Sequence, residues 1–133
     1  MKCHLRLLRL DRITTTDAPL PVGPYSQAVK AGKFLFISGQ LAIDPTEGKI
    51  VSDNIKDQTA RVLDNIKAIL VAAGYSFGDI VQTNVYLSAM TSFKEFNAEY
   101  AKHFGKAFPA RATVGAELVQ SALVEISAIA YKE

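Results

Sequence analysis

Only two stretches of the chain carry helical periodicity, and this limits what the rest can build. Between Asn54 and Ala73, residues Ile55, Thr59, Val62, Leu63, Ile66, Ile69, Leu70 and Ala73 recur at three- and four-residue spacing. Lys56, Asp57, Arg61, Asp64 and Lys67 fall on the opposite side. Ser52 or Asp53 is placed to cap the first amides, and Asp57 and Arg61 form a favourable i,i+4 pair. Gly74 stands where a helix commonly ends in a left-handed residue. The second helix, Phe93 to Phe104, sets Phe93, Phe96, Tyr100 and Phe104 on one side.

The other apolar segments read as strands. Residues 28 to 38 form a hairpin turning at Ala31-Gly32 into a buried strand, Lys33 to Ser38, which Gly39 interrupts. "DPTEG" at 44 to 48 is a turn cluster. In Ile80 to Leu87, Val81, Thr83, Val85 and Leu87 face one way and Gln82, Asn84 and Tyr86 the other. A short strand at Arg111 to Val114 follows Pro109, and the last strand spans Leu123 to Tyr131. The order is β-β-β-α-β-α-β-β, an α+β pattern with two helices on one face of a sheet. The uncovered face carries Leu123, Glu125, Ser127, Ile129 and Tyr131. It is too apolar for open water yet holds a carboxylate, so it is expected to meet another subunit.

Several function classes are disfavoured. The 133 residues suit one domain, and no apolar run approaches the roughly 20 residues of a bilayer span. Cys3 is the only cysteine, and His4 and His103 lack ligand-like spacing, so neither a disulfide nor a metal site is expected. Lys2, Arg6, Arg9 and Arg12 against Asp11 give residues 1 to 12 a charge of +3; the total is +2, so the body carries −1. A near-neutral body is a poor phosphate-binding surface, which argues against nucleic acid as a partner. The N-terminal segment reads as a basic helical stripe of the targeting kind or as an edge strand or tail.

Few residues are candidates for chemistry. Arg111 opens a strand after Phe108-Pro109-Ala110, and its planar fork suits a carboxylate; a surface ion pair explains it equally well. Glu125 lies among Leu123, Val124 and Ile126, where it is either a surface residue on a half-exposed strand or a costly buried acid able to orient water. Tyr25 in "GPYSQA" reads more readily as packing. Ser38-Gly39 offers backbone amides to an anion or marks a bulge, and Asn97 is consistent with a wet helix face. No serine–histidine–acid arrangement and no phosphate-cradling glycine loop is present.

Taken together, "APLPVGPYSQAV", "FLFISGQLAIDP", "QTARVLDNIKAILVAAGYSFGDIVQTNVYL", "FKEFNAEYAKHF", "FPARATV" and "ALVEISAIA" resemble, in this order, the RidA/YjgF/YER057c/UK114 family. The resemblance covers about residues 13 to 131. It implies a single domain at 13–133 behind an N-terminal extension at 1–12. It also implies a chorismate-mutase-like (bacillus-type) α+β fold with a mixed sheet, assembled as a homotrimer around a central barrel with clefts between subunits. The activity implied is hydrolysis of reactive 2-imino acids and their 2-aminoacrylate-type enamine tautomers to 2-oxo acids and ammonia, with no cofactor. The 2-iminopropanoate and 2-iminobutanoate deaminases are the type.

By motif, the carboxylate-gripping arginine corresponds to Arg111 and the water-positioning glutamate to Glu125. The cleft tyrosine corresponds to Tyr25, the serine to Ser38 and the second-helix asparagine to Asn97. Gly39 and Thr113 are implied to contribute backbone groups. Relatives that only bind 2-oxo acids, or that are described as ribonucleases or translation inhibitors, supply the alternatives. A cytoplasmic location follows, or a mitochondrial one if residues 1–12 are an address. The segment "ELVQSALVEI" departs from the family in lacking a proline before the last strand, so its turn is expected to differ.

Overall fold

A computed structural model describes residues 10–133. The alternative readings of Lys2, Arg6 and Arg9 lie outside the described residues. Six strands form one mixed sheet: β1 (Leu10–Ile13), β2 (Ala28–Ala31), β3 (Phe34–Gln40), β4 (Ile80–Leu87), β5 (Ala110–Gly115) and β6 (Val124–Tyr131). Their spatial order is β1-β2-β3-β6-β4-β5, with only the β4–β5 pair parallel. Helices α1 (Ile55–Ala73) and α2 (Phe93–Phe104) pack side by side on one face, as the helical periodicity requires. Along β6 the even-numbered residues from Val124 to Ala130 are buried beneath the helices and the odd-numbered ones stay half exposed. The core joins Leu35 and Ile37 of β3, Val62, Leu63, Ile66 and Leu70 of α1, Val85 and Leu87 of β4, and Phe96 and Tyr100 of α2.

Four local expectations are corrected. Asn54, not Ser52 or Asp53, caps α1: its Oδ1 accepts from the Asp57 amide at 2.8 Å, while Ser52 Oγ accepts from the Asn54 amide one step upstream. Asp57 and Arg61 do not pair, because each finds a nearer amide side chain. Asp57 Oδ2 accepts from Asn54 Nδ2, and Arg61 Nε donates to Asn65 Oδ1. Val81 is 45% exposed, because a bulge between Ile80 and Gln82 breaks the alternation and buries Ile80 in its place. The first hairpin turns at Gly32-Lys33, with Gly32 at φ +60°, and the strand after it is buried only on its Leu35 and Ile37 side. Gly74 does end α1 in the left-handed region, at φ 83°.

Three buried amide side chains tie loops to this core. Gln27 accepts from the Thr15 amide and donates to the carbonyls of Thr15, Ala18 and Pro19, laying the proline-rich arm against the sheet. Asn65 donates to the carbonyls of Leu41 and Ile43. Gln58 donates to the Ser52 carbonyl and accepts from the Leu123 amide. Each satisfies backbone groups that would otherwise be buried and unpaired.

Candidate functional site

Opposite Ser127 on β6, strand β3 inserts one extra residue: Ile37 pairs with Ala128 and Gln40 with Ile126, leaving Ser38 and Gly39 against one partner. The bulge bends β3 and opens a cavity of about 350 Å³ over the helix-free face. Tyr25 and Gln27 line it from the arm, Ser38, Gly39 and Gln40 from the bulge, and Glu125 from β6. Apolar walls come from Leu20, Val22, Leu41, Ile43 and Val119. Ser38 is fixed by its hydroxyl, which donates to the Ser26 carbonyl, and by its amide, which donates to the Gln27 carbonyl.

Glu125 rests directly on Gly39. A Cβ at position 39 would stand 2.6 Å from Glu125 Oε1 and 2.9 Å from Cδ, so only glycine permits the approach. Burial pushes the Glu125 carboxyl above the ordinary glutamate range, with no cation to offset it. Among the described residues, Tyr25 and Glu125 are the only titratable groups lining the cavity.

Arg111 lies elsewhere. It pairs with Thr83 of β4, whose hydroxyl bonds the Tyr100 hydroxyl of α2 at 2.7 Å, so both side chains face the helices. The guanidinium sits 4.9 Å from the Tyr100 ring, 5.5 Å from Phe96 and 5.8 Å from Phe93. Its Nη2 donates to Asn97 Oδ1 at 2.8 Å. Among the described residues no carboxylate lies within ion-pairing distance of it. Tyr100 is raised by burial, in part opposed by Thr83 and Arg111. Asn97, Tyr100, Ala101, Phe108, Pro109 and Arg111 line a separate, shallower hollow. Thr113 is two residues along β5 on the same side, and its hydroxyl is buried without a partner.

The seven candidates therefore divide into two groups. Tyr25, Ser38, Gly39 and Glu125 meet on the helix-free face, and Asn97, Arg111 and Thr113 gather at the β5 edge on the helix side. Within one chain the sheet stands between them. Asn97 is a partner of Arg111 and not merely a wet surface residue. Sequence reasoning missed Gln27 and Val119 in the cavity lining. A buried glutamine after a tight turn carries no local signal, and Val119 enters through a turn whose shape no residue there announces.

The sequence model of the Endoribonuclease L-PSP family matches residues 15–132. A RutC family protein of Pyrococcus horikoshii is 57% identical over 122 residues, covering 91% of this chain and 97% of that one. This chain belongs to the RidA/YjgF family. Reactive Intermediate Deaminase A, chloroplastic, of Arabidopsis thaliana is 43% identical over 124 residues, covering 92% of this chain and 66% of that longer protein. The crystal structure of E. coli TdcF with bound serine superposes with a TM-score of 0.88 at 37% identity, covering 92% of this chain and 99% of that one. The fold is thus the chorismate-mutase-like α+β fold of the RidA/YjgF family, and "GPYSQ", "ISGQ", "PAR" and "VEI" place their residues in it as two separate groups. No helix among the described residues is long and apolar enough to cross a membrane.

Proposed function

We propose that this protein hydrolyses reactive 2-imino acids, and the enamine acids that tautomerise to them, to 2-oxo acids and ammonia. The site is completed by a second copy of the chain in a homotrimer. The observation that carries this reading is complementary incompleteness. Among the described residues, one half-site holds a guanidinium with no anion, and the other holds a desolvated carboxylate with no cation. A small molecule with a carboxylate at one end and a hydrolysable C=N carbon beside it satisfies both when the β5 edge of one protomer meets the bulge face of its neighbour.

In this arrangement Arg111, braced by Asn97 and the α2 rings, grips the substrate carboxylate through two parallel hydrogen bonds. Backbone groups at Gly39 and Thr113 and the Ser38 segment fix its orientation, and Tyr25 covers the mouth. Glu125 orients a water and takes its proton as the oxygen attacks the imine carbon. Glu125 returns that proton to the imine nitrogen, giving the carbinolamine, whose hydroxyl proton then passes to the nitrogen as the C–N bond breaks and ammonia and the 2-oxo acid form. A carboxyl raised by burial is the better base. Imines hydrolyse readily, so positioning worth several kcal/mol suffices and no cofactor enters the scheme. The name of the deaminase relative supports the reaction, and the serine carried by TdcF supports a ligand of amino-acid size. An RNA-directed reading is disfavoured by a cavity that, among the described residues, is lined by no lysine, arginine or histidine.

The test is ammonia release, or semicarbazone competition, with 2-iminopropanoate and 2-iminobutanoate generated in a coupled assay. Turnover that disappears in Arg111→Ala supports the reading. Full turnover in that variant overturns it.

A further inference from the structure

The stretch leading into β6 is an unlikely one for a strand that must place an acid. Val119–Ser121 forms a tight turn in which Gln120 (φ 57°) and Ser121 (φ 54°) both occupy the left-handed region, and neither is glycine. Side chains there meet their own backbone, so the turn persists only if its surroundings over-determine it. No proline stiffens it. It delivers Val119 to the cavity wall and, four residues beyond the turn, Glu125 onto Gly39.

What holds it is a side chain from α1. Gln58, 1% exposed, accepts from the Leu123 amide at 2.9 Å and donates to the Ser52 carbonyl at 2.7 Å. The Leu123 carbonyl is held from the other side by the Ser88 amide at 3.0 Å. Leu123 is thus clamped at both backbone groups two residues before Glu125, and the clamp reaches 65 residues along the chain. A one-residue slip at this point would send Glu125 to the opposite face of the sheet.

We propose that Gln58 is a positioning residue for Glu125: by fixing Leu123 against a strained turn, it sets where β6 begins and so seats the Glu125 carboxylate on Gly39. The catalytic consequence rests on the deaminase reading; the seating itself does not. Among the described residues, the titratable groups around Glu125 are Tyr25 from the arm and Tyr86 paired with it on β4, and no basic residue lines the cavity. The position of its carboxyl between cavity and water therefore governs its titration. A carboxylate that leaves Gly39 for solvent regains hydration, and its pKa falls toward the ordinary glutamate value.

The experiment compares Gln58→Met, which keeps the volume and loses both bonds, with Gln58→Glu, which keeps an acceptor for the Leu123 amide. The Glu125 carboxyl is titrated by 13C NMR, its signal assigned by its absence in Glu125→Gln, and kcat and KM are measured on 2-iminopropanoate. The expected result is a lower Glu125 pKa and about a ten-fold lower kcat per folded chain in Gln58→Met, with KM within about two-fold. Gln58→Glu should recover most of both. An unchanged Glu125 titration in folded Gln58→Met overturns the proposal, whatever happens to its melting temperature. If Gln58→Met does not fold, Gln58→Asn, too short to span both partners, carries the same expectation. Failure of both to fold assigns Gln58 to stability alone and also overturns it. If the wild-type protein turns over no imine while the titration still moves, the deaminase reading fails and the positioning role stands.

Discussion

The two groups of candidate residues are built on opposite principles. On the helix-free face, Glu125 is held by what is missing: no Cβ at Gly39 and, among the described residues, no cation lining the cavity. Its carboxyl is driven up by burial alone. On the helix side, Arg111 is held by what surrounds it: three aromatic rings and an asparagine oxygen, with no acid nearby among the described residues. In the proposed reaction the first arrangement supplies the base, at some cost in stability. In that reaction the second supplies the anion receptor. Among the described residues the Glu125 group has no cation and the Arg111 guanidinium no anion, and in the proposed function a 2-imino acid and the opposite group supply them.

The comparison breaks most sharply at Arg111. Arg111→Ala is expected to lower kcat/KM for 2-iminopropanoate by at least about 1000-fold, because a bidentate clamp and its positioning are both lost. The oligomer should persist by light scattering, since the guanidinium bonds only Asn97 among the described residues. Glu125→Gln is expected to cost about 100-fold in kcat, and it separates the two half-sites by a second readout. The folded-state pKa of Glu125 is raised, so its stabilising contribution is present below the unfolded pKa and lost as pH rises through the folded value. Glu125→Gln should therefore melt higher than wild type at pH 7, with the difference vanishing near about pH 4. The wild-type kcat/KM should fall on acidification with a midpoint above the ordinary glutamate value of 4.5.

Smaller effects sharpen the same contrast. Gly39→Ala forces the Glu125 carboxyl aside, and because that carboxyl is the flexible end of a side chain, stability should barely change while kcat drops about ten-fold. A melting-temperature loss as large as the activity loss would show that the bulge, not Glu125, absorbs the added methyl. Tyr25→Phe removes a hydroxyl that accepts only a long bond from the exposed Val22 amide, 3.3 Å, and should change kcat/KM by about three-fold or less. A larger loss would give that hydroxyl a part in proton transfer.

Local periodicity carried the strand and helix order, the two-helix face and the half-exposed odd-numbered row of β6, because each depends on residues a few positions apart. The Val81 bulge escaped it: alternation across Ile80–Leu87 looks unbroken until β6 is laid beside it. The turn before β6 was invisible for a different reason. Left-handed backbone is read from glycine or asparagine, and here Gln120 and Ser121 adopt it under tertiary constraint. The amides of Gln27, Asn65 and Gln58 likewise look like polar interruptions of apolar stretches until their loop partners are in place. Among site residues, Arg111 and Glu125 were legible as types and Gly39 as a bulge marker. Their division between two faces was not, since a six-residue strand such as β5 fixes its facing only through its register with Thr83.

Mixing two inactive chains tests the central claim most directly. Arg111→Ala and Glu125→Gln protomers, dissociated and reassembled in equal amounts, should recover roughly a quarter of wild-type deaminase activity, because in a closed ring one boundary in four joins an intact arginine to an intact glutamate. Mixed oligomers confirmed by native mass spectrometry that regain nothing would contradict a site shared between protomers.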